Sequence, residues 1–309
     1  MVVLAFAVGV TVVDAQTSPP LYERVKAGAY VHLDGRPYRD PVAADDLRRF
    51  ESQTGKLDVI HYFFTWGWSF DRAVTANLEG RDLMLSMKPD QGLVWNIKDG
   101  GQDGYIDRFA ADARAYGRPV YLRFGHEMNG DWMSYSAGRD GGPSAEHFKV
   151  AWRRLVDRFR AQGATNVRFI WCPNESDFPD RAGNHLEDYW PGDDYVDIVG
   201  FDAYNWTDQL PRRGDGDNRS FDQIVEGPYD RIGRFTDKEV WLCEFGTVEP
   251  DKAEWIEDMF ESRSFPRLTG LIYFSENDQR DVQRDWRLDS SPASARAWRD
   301  GVAKRSPGR

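Results

Sequence analysis

Eight short apolar runs, each followed by a longer stretch with helical spacing, limit the fold of this chain more tightly than any other feature. In order they are AGAYVHL (28–33 at its core), LDVIHYFF (57–64), DLMLSM (82–87), PVYLRFGHE (119–127), VRFIWC (167–172), VDIVGFDAY (196–204), EVWLCEF (239–245) and LTGLIYFS (268–275). Runs of this length, rich in β-branched and aromatic residues, read as buried strands of a parallel sheet. The stretches between them read as amphipathic helices. In AEHFKVAWRRLVDRFRAQG, Phe148, Trp152, Leu155, Val156 and Phe159 fall at i, i+4, i+7, i+8 and i+11, one helix face, with Arg and Asp opposite. Eight alternations without a break in composition predict an α/β fold, a closed (β/α)₈ TIM barrel, which takes roughly 250 residues. A doubly wound sheet is the competing architecture, but no Gly-rich phosphate loop follows the first strand.

The first fifteen residues are apolar and end at Ala15; with Val13 they fit the small-residue pattern of a signal-peptidase site before Gln16. The chain therefore divides into a signal peptide over 1–15 and a single catalytic domain over 16–309, and a secreted protein is expected. The usual basic n-region is missing, since no Lys or Arg precedes Arg24. That run ends short of the roughly 20 residues a membrane span needs, and no other comes near it. A net charge of -11 lacks the electrostatic footprint of a nucleic-acid binder. Twelve Trp, 13 Tyr and 18 Phe are more rings than a core alone usually needs, and flat apolar rings suit the faces of sugars. A polysaccharide substrate and a monomeric protein are the expectation.

In such barrels the chemistry gathers at the C-terminal strand ends. Here these carry His32 and Asp34, then Trp66 and Trp68, then Glu127, Asn129 and Trp132. Further on come Trp171, Asn174 and Glu175, then Asp202, Tyr204 and Trp206, then Glu244, then Glu276. Alternation along the strands predicts that Arg123, Gly125 and Glu127 face inward on strand four. It also predicts Leu242 and Glu244 inward on strand seven, with Trp241, Cys243 and Phe245 toward the helices. Two glutamates at the mouth then suit glycoside hydrolysis, where a separation of about 5–5.5 Å means retention and a wider one inversion. Cys172 and Cys243, two strands apart, are too distant for a disulfide and are expected as free thiols. His126 and Glu127 do not complete a zinc motif, because residue 130 is Gly. GDGD (214–217) lacks the terminal Glu of a calcium loop. No metal or cofactor is expected.

GHEMNGDW (125–132) resembles the acid/base motif of glycoside hydrolase family 26, the β-mannanase family. WPGDDYVDIVGFDAYNW (190–206), VWLCEFG (240–246) and LIYFSEND followed by DWRLDSSP (285–292) continue the resemblance in order along most of the mature chain. The resemblance implies a (β/α)₈ barrel with Glu127 as acid/base and Glu244 as nucleophile. It further implies that His126 contacts the sugar of the −1 subsite, that Tyr204 hydrogen-bonds the nucleophile and that Trp132 lines the cleft. Tyr273 and Phe274 stand where many members carry a Trp beneath the −1 sugar, which bears on the substrate.

A retaining double displacement is the expected mechanism, with Arg123 either orienting Glu244 or forming a structural ion pair. Trp66, Trp68, Trp171 and Trp206 are candidate sugar platforms or core residues. β-1,4-Mannan is the favoured substrate by the resemblance, followed by mixed-linkage β-1,3-1,4-glucan and then β-1,3-xylan. The alternative from another class is a carbohydrate-binding barrel without activity, against which both glutamates argue.

Overall fold

The computed structural model describes residues 18–32, 42–74, 80–206, 218–278 and 284–304. The expected leader over 1–15, Asp34, the GDGD segment and the tail beyond Lys304 lie outside the described residues. Each of the eight apolar runs forms a strand: β1 (Lys26–Val31), β2 (Val59–Thr65), β3 (Asp82–Lys88), β4 (Val120–Phe124), β5 (Val167–Trp171), β6 (Ile198–Tyr204), β7 (Val240–Gly246) and β8 (Leu268–Ser275). They close into one parallel barrel in chain order, β8 pairing back onto β1 from Lys26↔Gly270 to Val31↔Ser275. The expected (β/α)₈ architecture is the one observed.

Around the barrel run α1 (Leu21–Arg24), α2 (Ala44–Thr54), α3 (Phe70–Val74), α4 (Gln91–Lys98), α5 (Asp103–Tyr116), α6 (Ala145–Ala161), α7 (Phe221–Gly233), α8 (Lys252–Glu261) and α9 (Pro292–Ala303). The five residues of the predicted α6 stripe are all buried. Its first turn is closed by Ser144, whose hydroxyl accepts from the His147 N–H at 3.2 Å. Such a cap is worth about 1 kcal/mol. Capping boxes at Ser220–Gln223 and Ser291–Ser294 start α7 and α9.

Two cores result. The larger lies between barrel and helices and includes Val120, Leu122, Phe124, Leu242 and Phe245. The smaller fills the barrel, with Val59, Met84, Tyr121, Ile170, Ile198, Trp241, Cys243 and Ile272. Trp241 and Cys243 thus point inward and Leu242 outward, the reverse of the alternation predicted for β7. The two cysteines are free and buried. They meet across Gly200 of β6, where a Cβ would lie 2.5 Å from the Cys243 sulfur and 3.2 Å from Cys172 Cβ. Only a glycine leaves room for both.

Candidate active site

On β7 the inward parity belongs to Cys243, so simple alternation would turn Glu244 toward the helices. A register shift changes that: Phe201 of β6 pairs with Leu242, but Asp202 pairs with Glu244. The extra residue is a β-bulge, a device that re-aims side chains at barrel rims. Consecutive residues 243 and 244 both reach the interior as a result.

Glu127 also arrives by an irregular route. β4 ends at Phe124, and Gly125 and Glu127 then adopt φ of 57° and 52°. A Cβ on Gly125 would lie 2.6 Å from a ring carbon of Phe148, so position 125 faces α6 and not the barrel as alternation predicted. Arg123 does face inward and is fully buried. A left-handed backbone at a residue other than glycine costs about 1–2 kcal/mol. The surroundings hold it in place: Glu127 N–H donates to the Cys172 carbonyl at 2.8 Å and its own carbonyl accepts from Gly130 N–H at 3.0 Å.

The two carboxyls have different environments. Glu127 accepts from the Trp132 indole N–H at 2.7 Å and from the Asn174 amide at 2.8 Å. Burial, and then the negative charge of Glu244, raise its pKa above the usual glutamate value, against the pull of those two donors and of Arg123. Glu244 accepts from the Arg123 guanidinium on one oxygen and from the Tyr204 hydroxyl at 3.1 Å on the other. Burial and the charge of Glu244 push the Tyr204 phenol well up, so it stays a donor.

Arg123 is held on each edge of its fork. Nη1 donates to both oxygens of buried Asp202 at 2.7 and 2.9 Å, and Nε donates to Ser86 Oγ at 2.6 Å. Ser86 Oγ in turn lies 2.6 Å from His61 Nε2. Burial and the nearby Arg123 charge depress the His61 pKa well below its usual value, keeping the ring neutral. Arg123 therefore both orients Glu244 and forms an interior ion pair.

Of the other expected residues, His126 is buried at the cleft with its ring 5.7 Å from Phe63. Tyr204, Trp206 and Trp286 pack at 5.2–5.5 Å from one another, joined by Phe274. Trp66 donates to Gln102 and packs at an angle against Tyr105 and Phe124, while Trp68 packs on Phe64 beneath the Arg72 guanidinium. Those contacts belong to the helix layer and do not reach the glutamates. Trp171 is fully buried against Trp190 and Phe235, which removes it from the candidate platforms. Glu175 is paired with Arg219, and Glu276 lies 3.6 Å from His32.

Asn174 stood among the strand-end residues, but its bond to Glu127 had no sequence signal. His61 and Ser86 did have one: each is a polar residue within an apolar strand. Trp286 sat inside the quoted DWRLDSSP string without being singled out. Among the described residues, no three His, Cys, Asp or Glu side chains gather as a metal site requires. No described helix is long and apolar enough to cross a membrane.

Residues 103–229 match the model of glycosyl hydrolase family 26. Endoglucanase H of Acetivibrio thermocellus is 34% identical over 82% of this chain and 28% of its own length. A β-1,3-xylanase of a Vibrio species is 32% identical over 37% of this chain and 24% of that protein. The chain thus spans about a quarter of the length of these relatives. Among solved structures, the catalytic domain of the Bacillus sp. JAMB-750 endo-β-1,4-mannanase superposes with a TM-score of 0.65 at 18% identity, covering 92% of this chain and 87% of that one. That likeness is one of fold.

Proposed function

The chain belongs to glycosyl hydrolase family 26, and from that membership we propose an endo-acting, configuration-retaining β-glucan hydrolase with Glu127 as acid/base and Glu244 as nucleophile. The observation that carries this reading is the contrast between two facing carboxyls. Glu244 is bonded by a guanidinium and a phenol, whereas Glu127 has its pKa raised by burial and by Glu244. A carboxyl raised in this way, beside a second carboxylate bonded by a guanidinium and a phenol, suits the acid and the nucleophile of a glycosidase.

In the proposed reaction, Glu127 gives its proton to the glycosidic oxygen as that bond breaks. Glu244 attacks the anomeric carbon and becomes a neutral ester. The charge that held the Glu127 proton is then gone, so Glu127 ionises and takes a proton from the water that releases the sugar. Tyr204 and Arg123 hold the nucleophile's two oxygens, and Trp132 fixes the acid. His126 and Trp206 are the proposed sugar contacts nearest this centre.

We put β-glucan first because a match over 82% of the chain is to a protein named an endoglucanase. β-1,4-Mannan, first by family resemblance, comes second, and β-1,3-xylan third. A polymeric substrate also suits export through the apolar segment 1–15, which N-terminal sequencing of the mature protein checks.

The test is reducing-sugar release from barley β-glucan, galactomannan and β-1,3-xylan, with Glu244→Ala in parallel. Release from the glucan with the β-anomer formed first in proton NMR, and its loss in the variant, is expected. Release from galactomannan alone moves the substrate to mannan, and α-anomer first overturns retention. No release by folded protein leaves a binding barrel.

A further inference from the structure

Among the described residues most large apolar side chains are buried or half-buried, several rings such as Trp66, Trp132 and Trp206 being half-buried. Among the described residues, the large apolar side chains counted as exposed are Val150 at 37% and Phe178 at 45%. Val150 sits on the outer side of α6, where a single exposed apolar residue is ordinary. Phe178 is different in three respects.

Its position is fixed. Phe178 N–H donates to the Asn129 carbonyl at 2.8 Å, and the segment bridges Gly130. Asp177, just before it, accepts from the Asn129 amide, the Leu186 N–H and the Arg231 guanidinium at 2.8–2.9 Å. A segment tied down this firmly presents its ring by construction and pays little ordering entropy when a ligand arrives.

Its neighbour is the residue that holds the acid. The Phe178 ring stacks on Trp132, centroids 6.3 Å apart at 28°. Trp132 is itself immobilised: its N–H is bonded to Glu127, and its six-membered ring lies so close over Gly130 that a Cβ there would be 2.2 Å away.

Its side of the cleft is the leaving side. Tyr204, Trp206, Trp286 and Phe274 cluster with the tyrosine that holds Glu244, whereas Trp132 and Phe178 extend outward from Glu127. The group protonated by Glu127 departs with the glycosidic oxygen, so rings built outward from that acid meet the departing part of the chain.

We infer that Phe178 is the stacking platform of a distal leaving-side subsite, for a β-linked hexose at least one unit beyond the sugar that carries the scissile oxygen. The inference rests on the hydrolase reading above. An exposed, preordered ring on a preordered indole offers a pyranose an apolar face at low entropic cost.

The test compares wild type, Phe178→Ala and Phe178→Trp on barley β-glucan and on 2,4-dinitrophenyl β-cellobioside, whose aryl leaving group has no sugar to stack there. An aromatic contact worth about 0.5–1.5 kcal/mol corresponds to roughly 2- to 13-fold. The ratio of kcat/KM on polymer to kcat/KM on the aryl glycoside is expected to fall by about that factor in Phe178→Ala and to be restored in Phe178→Trp. An unchanged ratio in Phe178→Ala, with the aryl glycoside turned over, overturns the subsite and leaves the hydrolase reading standing. Turnover of neither substrate by folded wild type removes the hydrolase reading, and the subsite with it.

Discussion

Glu127 sits where one hydrogen-bond donor more or less sets the pH range of activity. Trp132 and Asn174 both donate to its carboxylate and so stabilise the ionised form. Trp132→Phe removes one of them, which raises the Glu127 pKa further. In the proposed mechanism the protonated form of Glu127 is the working acid, so the alkaline limb of the kcat/KM profile is expected to move to higher pH. A limb that stays or moves down, in a profile measured from pH 4 to 10, refutes the assignment of that limb to Glu127. The glutamates could be read from the sequence because the motifs around them are distinctive. How they reach the cleft could not. Alternation brings Arg123 and Glu244 inward correctly, yet it fails at Gly125 and at Trp241, Leu242 and Cys243, and it misses the bulge by which Glu244 arrives. A left-handed residue and a bulge leave no trace in a pattern of apolar and polar letters.

At the level of elements, the strands were legible to within a few residues because buried parallel strands are continuous apolar runs, and α6 was legible through its stripe. The segment after β8 was not, because what holds it is a lysine on another element. Lys252, first residue of α8, is fully buried and donates to the carbonyls of Asp285 and Arg287 and to Ser290 Oγ at 2.7–2.8 Å. Those two carbonyls flank Trp286, which packs on Tyr204. Burying an ammonium at a helix N-terminus is doubly unfavourable, and burial lowers its pKa to about 8 against Glu249 and Asp285, which hold it up. Lys252→Met strands three acceptors and is expected to cost about 2–4 kcal/mol in urea unfolding. Folded protein binds fewer protons than unfolded between pH 8 and the ordinary lysine range. Wild-type stability relative to the variant is therefore expected to climb over that window. A flat difference means that the lysine titrates normally.

At the scale of the whole molecule, one side chain ties half the barrel together. Arg123 of β4 bonds Ser86 of β3, Asp202 of β6 and Glu244 of β7 from the centre of the interior. Removing it leaves two carboxylates buried without their partner, which typically costs about 3–5 kcal/mol. Arg123→Met is expected to lower the urea midpoint by that equivalent, and Arg123→Met with Asp202→Asn to recover part of it. No recovery would mean that the loss is one of packing.

The backbone at Glu127 bears on history as well as on chemistry. Its left-handed φ is a standing charge on stability that glycine or asparagine at the same place would avoid. Drift acting on a lineage with no use for the acid would favour such replacements, because each would make the molecule sturdier. A glutamate in that conformation is what a barrel still selected for turnover keeps, and one idled into mere sugar binding has every reason to lose it.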